Sequence, residues 1–341
     1  MVEESADLAE LPVVRELLAS DNPVVRYKVR ANVLGEAADS PELEGLRRQI
    51  GTSTMARRLL SHREPDGTIA AAPYRKWQGP LWTLVSLALI VYPSGDAALL
   101  PIRDQAFDWL LCAEHLEFPR TLIIPGQQDR VRRCAGQEAY AVWYTLKLGI
   151  ADERTDRLVE RLKRWQWPDG GWNCDKRPEA RISSFHETFM PLRALSLYGR
   201  AHGDQEALDA ARRAAEVFLT RRLFKRQRDG AIIHPDFTRL TYPYFYHYNI
   251  LAGLAVMAEA GLIHDERCRD ALDLLEAKRL PGGGFPLERR IVKTADEIVT
   301  RGSWADWGPV GSRQMNELVT AEALYVLKEA GRLVPTRGQQ P

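Results

Sequence analysis

Apolar residues recur at helical spacing along nearly the whole chain. Leu192, Leu195 and Leu197 follow this pattern, as do Leu318, Ala321, Leu324 and Leu327. Such spacing puts the apolar side chains on one face of a helix. Two kinds of helix alternate. RTDRLVERLKRW (154–165) and DERCRDALDLLEAKR (265–279) carry one apolar stripe and one charged face, which predicts an outer, solvated position. QGPLWTLVSLALIVYPSGD and YHYNILAGLAVMAEAGLIHD are apolar around most of their circumference, which predicts an inner one. These helices close on Gly or a Gly-Asp pair, the expected C-terminal stop.

The alternation is a repeat. RLLSHREPDGTI (58–69), RLKRWQWPDGGW (161–172), RLFKRQRDGAII (222–233) and LLEAKRLPGGGF (274–285) each end a helix in a Gly-containing turn. Asp66, Asp169, Asp229 and Gly282 hold the turn. Their spacings of 103, 60 and 53 residues leave room for a degenerate copy in 106–126. Inner-type helices follow each turn, and an earlier one, PVVRYKVRANVLGEAAD, brings them to six. A pair of outer and inner helices repeated six times closes on itself, so no polar end caps are needed. The expectation is an all-α (α/α)6 toroid of two concentric helix rings, in a single domain over 1–341. PGGGFPLERRIVKT (281–294) is expected to form a short hairpin, and the loops 117–130 and 281–312 to act as lids.

Composition narrows the classes. A net charge of +1 gives no basic excess for a nucleic-acid footprint. The longest apolar run, Leu81 to Tyr92, is too short to span a bilayer. The N-terminus has no apolar signal-peptide core. Cys112, Cys134, Cys174 and Cys268 are scattered, with no paired spacing. They suggest neither a disulfide framework nor a zinc ribbon, and the reducing cytoplasm is the expected compartment. Homo-oligomerisation, cofactor and metal are left unassigned.

RLKRWQWPDGGW, with its basic residue, aromatic, Gln166, Gly170 and Trp172, resembles the QW motif of squalene and oxidosqualene cyclases. SSFHETFMPLRAL resembles the start of an inner helix in protein prenyltransferase β subunits. The chain thus looks like a stand-alone member of the terpene cyclase and prenyltransferase toroid group. The resemblance implies a Gln side chain that ties adjacent repeats together, and a small apolar, isoprenoid-like substrate in a central cavity. The DxDD acid motif of class II cyclases and the DDxxD motif of class I enzymes are absent. The Asp-Cys-His zinc pattern of prenyltransferases is not reproduced.

In such a ring the inner-helix starts and the loops before them face a central funnel. Read across the repeats, that layer holds Tyr74, Trp77, Trp82, Cys134, Gln137, Tyr140, Cys174, Asp175, His186, Glu187, Tyr242, Tyr244, Tyr246, His247, Tyr248, Trp304, Asp306 and Trp307. Tyr74, Trp77, Trp82, Cys134, Tyr244, Trp304, Asp306 and Trp307 are expected to bind substrate, because aromatic walls suit an apolar ligand and stabilise cationic charge. Asp175 is the expected proton donor of an acid-initiated cyclisation, isomerisation or hydration, with His186, Tyr246 and His247 shaping the proton path. The structural alternatives are an Asp175 paired to Lys176 or Arg177, and aromatics that are simply core. Other functions stay open: a metal-assisted transferase or lyase using His186 and His247 with Cys174 or Asp175; a non-catalytic ligand-binding or scaffold toroid whose funnel is plugged by side chains or is apolar with no buried carboxylate; and a carbohydrate-active barrel with Asp175 and Asp306 as paired carboxylates. Arg75, Lys76, Arg132 and Arg133, with other arginines near the inner-helix starts, stand where an anion would be held or where surface charge is balanced.

Overall fold

The computed structural model describes residues 8–117 and 130–333. Among the described residues, each of six inner helices follows an outer one. Pro12–Leu18 leads to Pro23–Lys28 and its π-helical extension Val29–Val33. Pro41–Gly51 and Thr54–Leu60 lead to Pro80–Leu89, Leu100–Leu111 to Ala135–Leu148, and Glu153–Trp165 to Phe185–His202. Gln205–Leu219 leads to Ile250–Glu259, and Arg269–Glu276 to Glu317–Glu329. Inner helices pack in chain order from 80–89 round to 317–329, which packs back on 23–33. Residues of the 23–33 and 80–89 segments meet around one axial chamber, which closes the ring. The protein is an all-α toroid of two concentric helix rings.

Local chemistry sets the starts of these helices. Asn22, Ser40, Ser53, Asp152, Asp204, Asn249 and Asn316 each accept a backbone N–H in the first turn of their helix, satisfying donors that a helix end otherwise leaves unpaired. Every residue of Pro80–Leu89 is buried, as its all-round apolarity predicted. The turn aspartates are structural. Asp66 accepts from Thr68, Asp229 from the Ala231 amide, and Asp169 from the amide and hydroxyl of Ser183. Gly170 follows with φ +97°, and a Cβ there would overlap the Arg213 carbonyl. Gln166 Nε2 donates to the carbonyls of Gly170 (2.7 Å) and Ala210 (2.8 Å), bridging its turn to the next outer helix.

One expectation changes. The segment 281–294 does not fold back as a hairpin. Lys293–Thr294 instead pairs in parallel with Gly302–Ser303, while Pro286 and Arg289 bridge to Met315 and Thr241. Both partners of the short sheet therefore lie within the 281–312 loop, and a parallel pair needs a crossover rather than a tight turn. Residues 118–129 of the expected lid at 117–130, and 118–126 of the degenerate copy at 106–126, lie outside the described residues.

The axis of the ring is filled. Trp82 is fully buried, with ring centroids 4.5 Å from Trp77, 5.1 Å from Phe245 and 5.2 Å from Tyr140. Phe245 stacks on Trp77 at 4.6 Å, and Tyr242 packs against Trp307 at 5.7 Å. Trp77 reaches the cavity at one end of the ring. Tyr242 and Tyr244 hydrogen-bond Lys28 and Arg193, which line the chamber at the other. The aromatics form a plug between two cavities.

Candidate functional site at the N-terminal mouth of the inner ring

Three loops meet where the inner helices begin. Cys134 is the residue before the 135–148 helix, Cys174 follows the Gly-Gly-Trp turn, and Glu187 lies in the first turn of the 185–202 helix. The two sulfurs and a Glu187 carboxylate oxygen all lie within 4.8 Å of one another. Cys174 Sγ is hydrogen-bonded to Glu187 Oε1 at 3.4 Å, and the Gly136 amide donates to Oε2 at 3.1 Å. Burial pushes the Glu187 carboxyl well above its ordinary value, and the neighbouring Cys174 sulfur adds to the effect. A hydrogen bond from Cys134 brings the Cys174 thiol down to about 6, against the opposing effect of burial. The same bond, together with burial, drives the Cys134 thiol up. The cluster therefore holds its negative charge on Cys174.

Tyr74 is the wall between this cluster and the mouth. Its hydroxyl bonds the Gln137 side chain, and its ring stacks on Trp109 at 5.6 Å. On one side lies a cavity of about 510 Å³ lined by Trp109, Cys112, His115, Arg133, Cys134 and Gln137, among others. On the other lies a cavity of about 520 Å³ with Tyr74, Trp77, Tyr246 and His247 on its aromatic side. Its remaining charged lining is Arg75, Lys76, Arg289, Arg290 and Arg301, with no acidic residue among the described residues. Asp236 pairs with Arg289 from outside this lining. Lys76 Nζ lies 4.5 Å from the Tyr246 ring centroid and donates to its hydroxyl.

The expected site residues divide. Tyr74, Trp77, Tyr246 and His247 share the mouth. Burial and the nearby His186 bring His247 down to about 4, so it is neutral near pH 7. His186 is adjacent, but its Nδ1 lies 3.1 Å from both the Tyr246 carbonyl and the Tyr248 amide. That nitrogen clamps the loop rather than facing the mouth. Trp82, Tyr244, Trp304 and Trp307 are buried core residues. The expectation was that they line a cavity, but Trp82, Tyr244 and Trp307 pack among the aromatics that fill the axis, and Trp304 is buried in the wall. Trp304 stacks on His62, and Tyr244 donates to Glu322. Asp306 is exposed and accepts the Gly308 amide beside a separate groove, together with Trp307.

Asp175 is a correction. Its side chain ion-pairs Arg177 at 2.6 Å and accepts the Arg177 amide, while Arg132 holds its carbonyl at 2.6 Å. The Arg177 hydrogen bonds bring its carboxyl down to about 2, so it has no proton to give near neutrality. The turn aims the backbone inward and the side chain at solvent. Arg132, buried under its bonds to Asp175 and Ala180, is a brace for this loop rather than an anion ligand. The desolvated carboxyl at the site belongs to half-buried Glu187, twelve positions on, beside the histidine that drew attention. Its sequence signal, a Glu in the first turn of an inner helix, is shared with ordinary helix starts.

Fold and site together define an α/α toroid with a thiol–carboxyl cluster beside a cationic, aromatic mouth. No family model matches the chain, and no curated protein matches it in sequence. Solved structures resemble it in overall architecture. One is a variant of the type II terpene cyclase MstE from Scytonema in complex with geranylgeranyl dihydroxybenzoate, at 14% identity and TM-score 0.44, covering 98% of this chain and 100% of that one. Others are the GH76A α-1,6-mannanase from Salegentibacter sp. (11%, TM-score 0.48, 97% and 99% covered) and a family 88 glycosyl hydrolase from Bacteroides vulgatus (10%, 0.49, 97% and 99%). At these levels the likeness says nothing about chemistry.

Proposed function

We propose that this toroid is an enzyme performing metal-assisted transfer or elimination on an isoprenoid-like substrate with an apolar body and an anionic head. The observation that carries the proposal is the convergence of Cys134, Cys174 and Glu187 within 4.8 Å beside the mouth. Two sulfurs and one carboxylate oxygen suit zinc, and three protein ligands leave a fourth position open to substrate. A zinc ion there would act as a Lewis acid and lower the pKa of a bound nucleophile. The low thiol of Cys174 fits that role, since a metal ligand must be deprotonated. Arg75, Lys76, Arg290 and Arg301 would hold the anionic head, and Trp77 and Tyr246 would pack its first apolar segment. The cavity beyond Tyr74 would take the rest. The site needs free thiols, which a reducing compartment such as the cytoplasm would preserve.

The test is to purify the protein without chelator, measure zinc, and replace it with Co²⁺. Expected are one metal per chain and a thiolate-to-cobalt absorption band, lost in Cys134→Ser and Cys174→Ser. A protein that takes up neither ion at micromolar concentration would end this proposal.

A second reading has its own observation, the Glu187 carboxyl raised well above its ordinary value by desolvation. In metal-free protein it would protonate an alkene and start a cyclisation, with Tyr74, Trp77 and Tyr246 facing the cation. Turnover of linear terpenes or their diphosphates in chelator, lost in Glu187→Gln, would favour it over metal assistance.

A further inference from the structure

A second chamber of about 660 Å³ lies at the opposite end of the ring, and residues of all six inner helices line it. Its walls include Tyr27, Tyr92, Trp143 and Tyr325. Its floor is a charged network. Lys28 Nζ donates to Tyr242 and Glu322, Tyr244 donates to Glu322, and Arg193 donates to Tyr244 and, through two nitrogens at 2.6 Å each, to Glu259. Burial opposes the charge on Lys28, but Tyr242 and Glu322 more than offset it and hold the ammonium charged.

These pairs use up the acids of the chamber. Glu322 is taken by Lys28, Glu259 by Arg193 and Glu36 by Arg30. Two lining cations remain. Arg47 bonds only neutral groups, the Tyr27 hydroxyl at 2.7 Å and the Ala38 carbonyl at 3.0 Å. Lys147, at the rim, has no hydrogen-bonded or ion-paired partner among the described residues. A third polar group is also unanswered: Trp143 is 2% exposed, and its buried Nε1 has no partner among the described residues. Arg193 lies over the same indole at 4.4 Å. The carbonyl ends of the inner helices bring partial negative charge to this end; that field fades within a turn, so it reaches Lys147 in the last turn of its helix but not Arg193, more than two turns inside its own, nor Arg47, which lies on an outer helix. The chamber thus offers surplus positive charge, an orphan N–H donor and aromatic walls. The π-helical turn 29–33 contributes Ala31 and Asn32 to the lining, a distortion that recurs at functional positions.

We infer that this chamber is a second ligand site, separate from the mouth, for a small aromatic carboxylate. The carboxylate would meet Lys147 and Arg47, and the ring would lie among Tyr27, Tyr92, Trp143 and Tyr325. Inorganic phosphate would satisfy the cations but leave the aromatic walls unused.

The test is calorimetric titration at low salt, with benzoate and inorganic phosphate as separate probes, on the full chain. Benzoate should bind in preference to phosphate. Lys147→Ala, a rim substitution, should weaken benzoate roughly tenfold or more, Trp143→Phe should weaken it too, and Arg290→Ala at the far mouth should leave it unchanged. Phosphate bound in preference to benzoate, benzoate affinity indifferent to Lys147→Ala, or benzoate affinity lost only in Arg290→Ala would each overturn the inference. So would the absence of benzoate binding.

Discussion

Cys174 Sγ and Glu187 Oε1 stand 3.4 Å apart and share one proton between a loop and a helix start, thirteen residues apart in the chain. Burial keeps that proton on the carboxyl, and the Cys134 hydrogen bond helps the sulfur carry the charge.

The first expectation concerns reactivity. In metal-free protein, alkylation of Cys174 by iodoacetamide should fall away as pH drops through about 6, since only the thiolate attacks. Cys134 should stay inert in the same range, its thiol being pushed up. Cys134→Ala removes the hydrogen bond that lowers Cys174, so the midpoint should move upward. Mass spectrometry of the labelled peptides reads both sites, and an unmoved midpoint would contradict the coupling.

Acid stability should report His247. Its value in the folded protein is depressed to about 4 from an ordinary 6.5. The unfolded chain therefore binds the proton more readily. This contribution is complete above about pH 6.5 and is lost as pH falls from there toward 4. Urea midpoints measured across that window should fall less steeply in His247→Asn than in the parent. An equal slope in both would show that the imidazole is not desolvated.

The Lys28–Glu322 pair sits at 6% exposure on both sides. Glu322→Leu leaves a buried ammonium without its acid and should cost about 3–5 kcal/mol by denaturant unfolding. Lys28→Met combined with Glu322→Leu should recover much of that, because neither charge is then stranded. A double variant as unstable as the single would mean that the network contributes through shape rather than charge.

Asp175→Asn should leave the thermal midpoint and any turnover unchanged, since its partner Arg177 lies in solvent. Glu187→Gln should abolish activity under either mechanism. The reverse pattern in a turnover assay would restore Asp175 as the acid.

The sequence by itself determined the ring. Periodicity separated outer from inner helices, and the Asp-Gly turns and Gly stops marked the joints. These signals are local, written within one or two turns of chain, and 154–165 and 80–89 obey them in the structure. Tyr74, Trp77, Tyr246 and His247 were also legible as a mouth, because a closed ring puts all inner-helix starts at one end.

Only the tertiary structure decided which way side chains near those starts face. Asp175 and Glu187 carry the same chemical group, yet an Asx-type turn turns one toward Arg177, while the helix start carries the other under Gly136. Whether Trp82 and Trp307 line a hole or fill it depends on the ring's radius, which no residue encodes alone. The meeting of Cys134 with Cys174 comes from two repeats packing side by side, and the far chamber from all six. Such contacts are set by how helices pack over long sequence separations, and spacing along one helix carries no record of them.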